Sequence, residues 1–181
     1  MDTWPRVTSI LEAVGLIDTT WYTDEGRSRG KAVHGAIEGL AYGYLDEAEV
    51  PPDIAGFVSA YRKWLAESGF EPVATEVTVK HPTWQYVGHP DQWGWWQGKR
   101  TLIDYKTGTL GAVVPQCGGY TLAWRAERPT EPIDIIAAVK LNTEGTYKVH
   151  EIEIAEAEAL WTAAIVVYRA QPKRGTHHGR G

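Results

Sequence analysis

The chain has 181 residues, 43% of them hydrophobic and 23% charged, with a net charge of −5; this suits one globular domain and leaves too little chain for two. Its one cysteine, Cys117, excludes an internal disulfide, a four-cysteine zinc site and an iron–sulfur cluster, and fits a reducing, cytoplasmic setting. The negative charge argues against a protein that coats nucleic acid non-specifically, although local charge decides contact.

In chain order, segment 7–15 (VTSILEAVG) predicts a short helix capped by Thr8 or Ser9 and ended by Gly15. A loop with Trp21, Tyr22, Asp24 and Glu25 follows. Helical spacing then runs over 27–44, where Val33, Ile37, Leu40 and Ala41 share a face. Pro51-Pro52-Asp53 breaks the chain and opens a helix over 54–67, with Phe57, Tyr61, Trp64 and Leu65 as its stripe and Ser68-Gly69 as its stop.

From Glu71 the pattern turns extended, with Val73, Val77 and Val79 in a β-branched run. Segments 84–87 and 92–96 read as further strand, broken at Gly88 and Pro90. Gln97-Gly98-Lys99 is a turn signal before a strong strand over 101–105. These pieces predict a meander of adjacent antiparallel strands. Pro115 sits where a helix should begin, and 116–126 continues it. Segment 133–141 is a nearly continuous apolar run, the mark of a buried strand. An alternating strand over 147–154 pairs with it across a turn at 142–145, and 155–169 is a last helix. The expected fold is a single α/β domain over 1–171, a central mixed sheet flanked by helices, with a mobile tail over 172–181. Residues 1–15 show no basic region followed by an apolar run, and no apolar stretch approaches the ~20 residues that span a bilayer. A cytoplasmic protein with no membrane partner is therefore expected.

The chemistry concentrates in 101–108, TLIDYKTG. Alternate side chains of a strand share a face, so Leu102, Asp104 and Lys106 point one way and Ile103 and Tyr105 the other. A carboxylate and an ammonium on a hydrophobic strand are expensive to bury unless they pair or bind something. A simple ion pair near the strand end accounts for them equally well if they stand alone. They do not: Asp91 closes YVGHPD, thirteen positions before Asp104, and a hairpin turning near Gly98 brings the two acids onto adjoining strands. Two carboxylates and a lysine are what phosphodiester hydrolysis needs, since carboxylate oxygens hold Mg²⁺ and a cation orients water or neutralises developing charge.

Gly88-x-x-Asp91, twelve intervening residues, then Asp104-Tyr105-Lys106-Thr107-Gly108 resembles the core of the PD-(D/E)xK nuclease superfamily, and most closely its RecB-like exonuclease branch. Gly30-Lys31-Ala32-Val33-His34 is similar to that branch's upstream helix motif, and Gln116-Cys117-Gly118-Gly119-Tyr120 to its Q-x-x-x-Y motif. Glu76 lies where many members carry an acid on the first core strand, and the opening VTSIL looks like starts seen in the branch. The resemblance runs from about Val7 to Tyr120.

It implies a restriction-endonuclease-like core and Mg²⁺- or Mn²⁺-dependent hydrolysis of DNA, by attack of a metal-bound water on phosphorus. It makes Asp91, Asp104, His34 and the carbonyl of Tyr105 metal ligands. Lys106 then contacts the water or the scissile phosphate, Glu76 joins the catalytic set, and Gln116 and Tyr120, on one helix face, brace the site or touch DNA. Arg27, Arg29 and Lys31 open the His34 helix as a candidate clamp on the DNA backbone, with a plain solvated face as the other reading. Two departures stand out: the four cysteines of the CRISPR-associated relatives are missing, and so is any helicase motif. The stand-alone form implies a phage-encoded recombination or repair exonuclease acting on single-stranded DNA or duplex ends, with a recombinase or single-strand-binding protein as partner. An endonuclease of the same superfamily and a non-catalytic nucleic-acid-binding module remain alternatives.

Outside this set the residues decide less. Glu38, one helical turn after His34, joins the site or is solvated. His89 abuts the motif. His81, His177 and His178 are read as solvent-facing. Trp93, Trp95 and Trp96 alternate around the hairpin, with Trp95 facing away from both neighbours and at least one of the three exposed.

Overall fold

The computed structural model describes residues 4–18 and 23–172. Trp21, Tyr22, His177, His178 and nearly all of the tail expected to be mobile lie outside them. Among the described residues five α-helices and seven strands, with one 3-10 turn at Glu47–Glu49, follow in the order α1 (Val7–Ala13), α2 (Asp24–Tyr42), α3 (Ala55–Ser68), β1 (Glu71–Thr75), β2 (Val79–His81), β3 (Tyr86–Gly88), β4 (Gln92–Trp96), β5 (Lys99–Lys106), α4 (Val113–Glu127), β6 (Ile135–Leu141), β7 (Tyr147–Ile152) and α5 (Ile154–Ala170).

The fold is α/β, with a central mixed five-stranded sheet in the order β1-β4-β5-β6-β7 and helices on both faces. The pairs β1–β4, β4–β5 and β6–β7 are antiparallel; β5 and β6 are parallel. A parallel neighbour needs a crossover, and α4 supplies it. The expected meander is corrected here. The segment between β1 and β4 leaves the sheet as a separate two-stranded ribbon, β2–β3, so β1 pairs with β4 rather than with its chain neighbour.

The alternation of β5 divides the core as its pattern requires. Leu102 packs with Ile136 and Ala138 under α1, α4, α5 and the ribbon. Ile103 and Tyr105 pack with Ala137 and Val139 under α2 and α3. The β4–β5 hairpin turns at Gln97-Gly98, both with positive φ (55° and 73°), the two-residue geometry that matches strand twist.

Several boundaries move for local reasons. The cap of α1 is Arg6, whose side chain makes no capping bond, not Thr8 or Ser9. Helix α2 starts at Asp24 instead of Arg27, because the Thr23 hydroxyl accepts from the Gly26 N–H and Asp24 and Glu25 lie in the positive first turn. Helix α4 starts two residues before Pro115, which a first turn tolerates. Trp95 shares its sheet face with Trp93 and opposes only Trp96. It is exposed beneath the Arg100 guanidinium, whereas Trp93 packs at a tilt against Trp124 and Trp96 joins the α2–α3 core. His81 is half-buried between Trp84 and Tyr86, not solvent-facing, and its Nδ1 accepts from the Trp84 N–H. No helix among the described residues is long and apolar enough to cross a membrane.

Candidate metal centre

The site forms where the β4–β5 hairpin opens. Gln92 pairs with Ile103, so the register continued by one residue sets Asp91 opposite Asp104. Asp91 is buried. Its Oδ2 accepts the Tyr105 N–H at 2.5 Å, and its Oδ1 lies 3.0 Å from Nδ1 of His34, which α2 carries over the strand end. Glu76 enters from the other side, one residue past β1 rather than within that strand. It has φ 53°, a left-handed conformation that costs a non-glycine residue roughly 1–3 kcal/mol. Its N–H donates to the Asp91 carbonyl at 2.8 Å. The preceding Thr75 is pinned twice: its carbonyl accepts from the Tyr42 hydroxyl and its Oγ1 from Gln92. One donor atom each from His34, Glu76 and Asp91 lies within 4.8 Å of the others.

Asp104 is not in that trio; it is held by α4 instead. Gln116 uses all of its amide. Nε2 donates to Asp104 Oδ1 at 3.0 Å and to the Tyr120 hydroxyl at 2.6 Å, and Oε1 accepts from Lys106 Nζ at 3.0 Å. Gln116 and Tyr120 are both buried, and Gln116 links the Tyr120 hydroxyl to the carboxylate–lysine pair. Asp104 Oδ2 lies 2.8 Å from Lys106 Nζ as an ion pair but takes part in no aligned hydrogen bond.

The charges are strongly interdependent. The Asp91 carboxylate outweighs burial and raises the His34 imidazole to about 9. Burial, then Asp91, raises Glu76. Burial raises Asp104 against the pull of Lys106. Burial works to lower the Lys106 ammonium, but Asp104 and Asp91 prevail and hold it above the usual lysine range.

A cavity of about 740 Å³ opens beside His34 and Lys106; Arg27, Arg29, Gly30 and Tyr105 also line it. The ring of Tyr105 turns away from it, edge-on to Tyr61 in the α2–α3 core. Arg27 pairs with Asp24, and the Arg29 guanidinium sits over Phe57 with a buried Nε that has no partner. Lys31 is exposed and does not line the cavity. Glu38 is half-buried and stands outside the donor trio.

Sequence reasoning missed Gln92. It is fully buried, accepts from the Tyr105 hydroxyl, and donates to Tyr61 and Thr75 beneath Asp91. A glutamine in a tryptophan-rich strand carries no signal of this.

No family model matches the chain, and no curated protein does. Among solved structures it is similar to an alkaline exonuclease (LHK-Exo) from Laribacter hongkongensis, at 17% identity over 87% of each chain with a TM-score of 0.38. A structure of LHK-Exo in complex with dAMP gives 17% identity, 92% of this chain, 88% of that one and a TM-score of 0.38. Overlays this loose leave the functional reading to the chain's own geometry.

Proposed function

We propose that this chain is a metal-dependent DNA nuclease with a restriction-endonuclease-like core spanning 1–171, and that it works as an exonuclease. The observation that carries this is the convergence of His34, Glu76 and Asp91 donor atoms within 4.8 Å beside the braced Asp104–Lys106 pair. The donor set fits a hard divalent cation. It offers carboxylate oxygens and one imidazole, no thiolate, and an Asp104 oxygen without an aligned hydrogen bond. His34, Glu76, Asp91 and Asp104 would hold the ion, and Mg²⁺ or Mn²⁺ suits the set. When bound, such an ion activates water and offsets charge on the phosphate.

The protein's own groups do the rest. Gln116 and Asp104 fix Lys106 so that its ammonium stays charged and faces the phosphate oxygens as negative charge grows. Arg27 and Arg29 hold the sugar–phosphate backbone from the cavity wall. The test is cleavage of end-labelled linear single- and double-stranded DNA, beside closed circles, with Mg²⁺, Mn²⁺ or EDTA. Metal-dependent release of the end label from linear DNA, with circles intact, is expected. Nicked circles would make the enzyme an endonuclease, and no cleavage with either metal would sink the nuclease reading.

His34 adds a pH signature. Its pKa is raised to about 9, so the ring is protonated at neutral pH and must lose that proton to take a cation. Below about 9 each binding event then expels a proton, and the apparent Mn²⁺ affinity rises by up to tenfold per pH unit. Titration calorimetry in buffers of different ionisation heat reads this directly. The same affinity at every pH from about 6 to 8 would remove His34 from the site.

A further inference from the structure

A second, smaller cleft of about 290 Å³ opens on the other side of the donor trio, lined by Arg6, Thr8, Glu76, Gly88, His89 and Tyr120 among others. Glu76 lines this cleft and not the large cavity, whereas His34 lines the large cavity and not this cleft. Their donor atoms nevertheless lie within 4.8 Å of each other and of Asp91. The trio therefore joins a wall residue of one opening, His34, to a wall residue of the other, Glu76.

Both openings carry a guanidinium: Arg27 and Arg29 line one, and Arg6 lines the other beside the His89 imidazole. The Arg6 backbone is fastened in place, bridging Val87 while the Pro5 carbonyl accepts from the Val87 N–H at 3.0 Å. Its side chain is exposed and makes no hydrogen bond or ion pair among the described residues. A guanidinium held at the mouth of a cleft, with no carboxylate paired to it, is a fork of donors aimed at an anion. A linear polyanion reaching the trio from the large cavity meets Arg6 as it leaves.

We infer that Arg6, with Thr8 and His89, forms a phosphate subsite, so that one nucleic-acid strand crosses the metal centre and is gripped on both sides of the scissile bond. This rests on the nuclease reading and adds a substrate-binding position to it, on the far side from Arg27 and Arg29.

The test is binding of a fluorescent single-stranded oligonucleotide, in EDTA and with Ca²⁺, across a salt series. The proteins are wild type, Arg6→Ala, Arg6→Lys and, as a distant control on an edge strand, Lys148→Ala. Arg6→Ala should weaken binding about tenfold and reduce the slope of log K against log salt by about 1, the signature of one lost phosphate contact. Arg6→Lys should keep most of the slope, and Lys148→Ala should match wild type. Because the Arg6 side chain makes no hydrogen bond or ion pair among the described residues, the alanine variant should fold and melt like wild type. Wild-type affinity and slope in Arg6→Ala would overturn the subsite and leave the nuclease reading intact. Absence of binding by the wild type in both EDTA and Ca²⁺ would overturn both.

Discussion

Lys106→Ala is expected to lower single-turnover DNA cleavage by roughly a hundred- to a thousandfold, the cost of removing one preorganised donor from a developing oxyanion. The expectation follows from how Lys106 is held. Its Nζ contacts Asp104 Oδ2 at 2.8 Å and Gln116 Oε1 at 3.0 Å, and the surrounding carboxylates keep it charged. An ammonium fixed by two partners has little to reorganise when charge grows nearby. Those partners also set the structural consequence. Asp104 loses its cation in a buried position, which costs about 3–5 kcal/mol, but Gln116 still donates to it, so the variant is destabilised yet folded. The far-ultraviolet circular dichroism should therefore match wild type while the rate collapses. Wild-type cleavage by Lys106→Ala would remove the lysine from the chemistry.

Gly118→Ala should unfold the protein more easily than any other single methyl insertion in α4. A helix interior normally gains up to about 1 kcal/mol from such a change. Here a Cβ would lie 2.0 Å from the Ala157 carbonyl oxygen and 2.3 Å from its carbon, both backbone atoms of α5 that cannot rotate away. Overpacking of this kind costs about 3 kcal/mol or more, so the clash outweighs the propensity gain. For a chain of this length the melting temperature should fall by about 10 °C. Gly35→Ala is the internal contrast. Gly35 also lies in a helix, α2, but is exposed with nothing within 4 Å of its added Cβ, so a small stabilisation is expected. Equal melting of the two variants would contradict the close α4–α5 contact. The clash also bears on the site, because α4 delivers Gln116 and Tyr120 to Asp104.

How much of this could be read in advance depends on which interactions are local. Period-two alternation around 101–106 is local, and it put Asp104 and Lys106 on one face. Gln97-Gly98 is a local turn signal, and with the spacing to Asp91 it fixed the hairpin that sets the two acids opposite each other. The Thr23 cap was also legible, since a threonine followed by two acids is a helix start; the apolar stripe, which begins later, drew attention away from it. The ribbon β2–β3 was not, because a short strand's partner is chosen by packing against α4 and not by its own residues. Nor was the placing of Glu76. A left-handed glutamate just past a strand has no sequence mark, and only the two bonds on Thr75 and the Asp91 carbonyl define it. Asp104 shows the same limit. The motif marks it as a metal-binding acid, but its bond to Gln116 and its ion pair with Lys106 depend on how α4 packs, which the strand's own residues do not encode.

The most direct measurement is a crystal grown with Mn²⁺ and examined for anomalous scattering. A peak within about 2.5 Å of an Asp91 carboxylate oxygen, with His34 or Glu76 as a second ligand, is predicted. An anomalous map with no peak at that trio, from crystals in which the chain is folded as described here, would contradict the metal centre and with it the proposed nuclease.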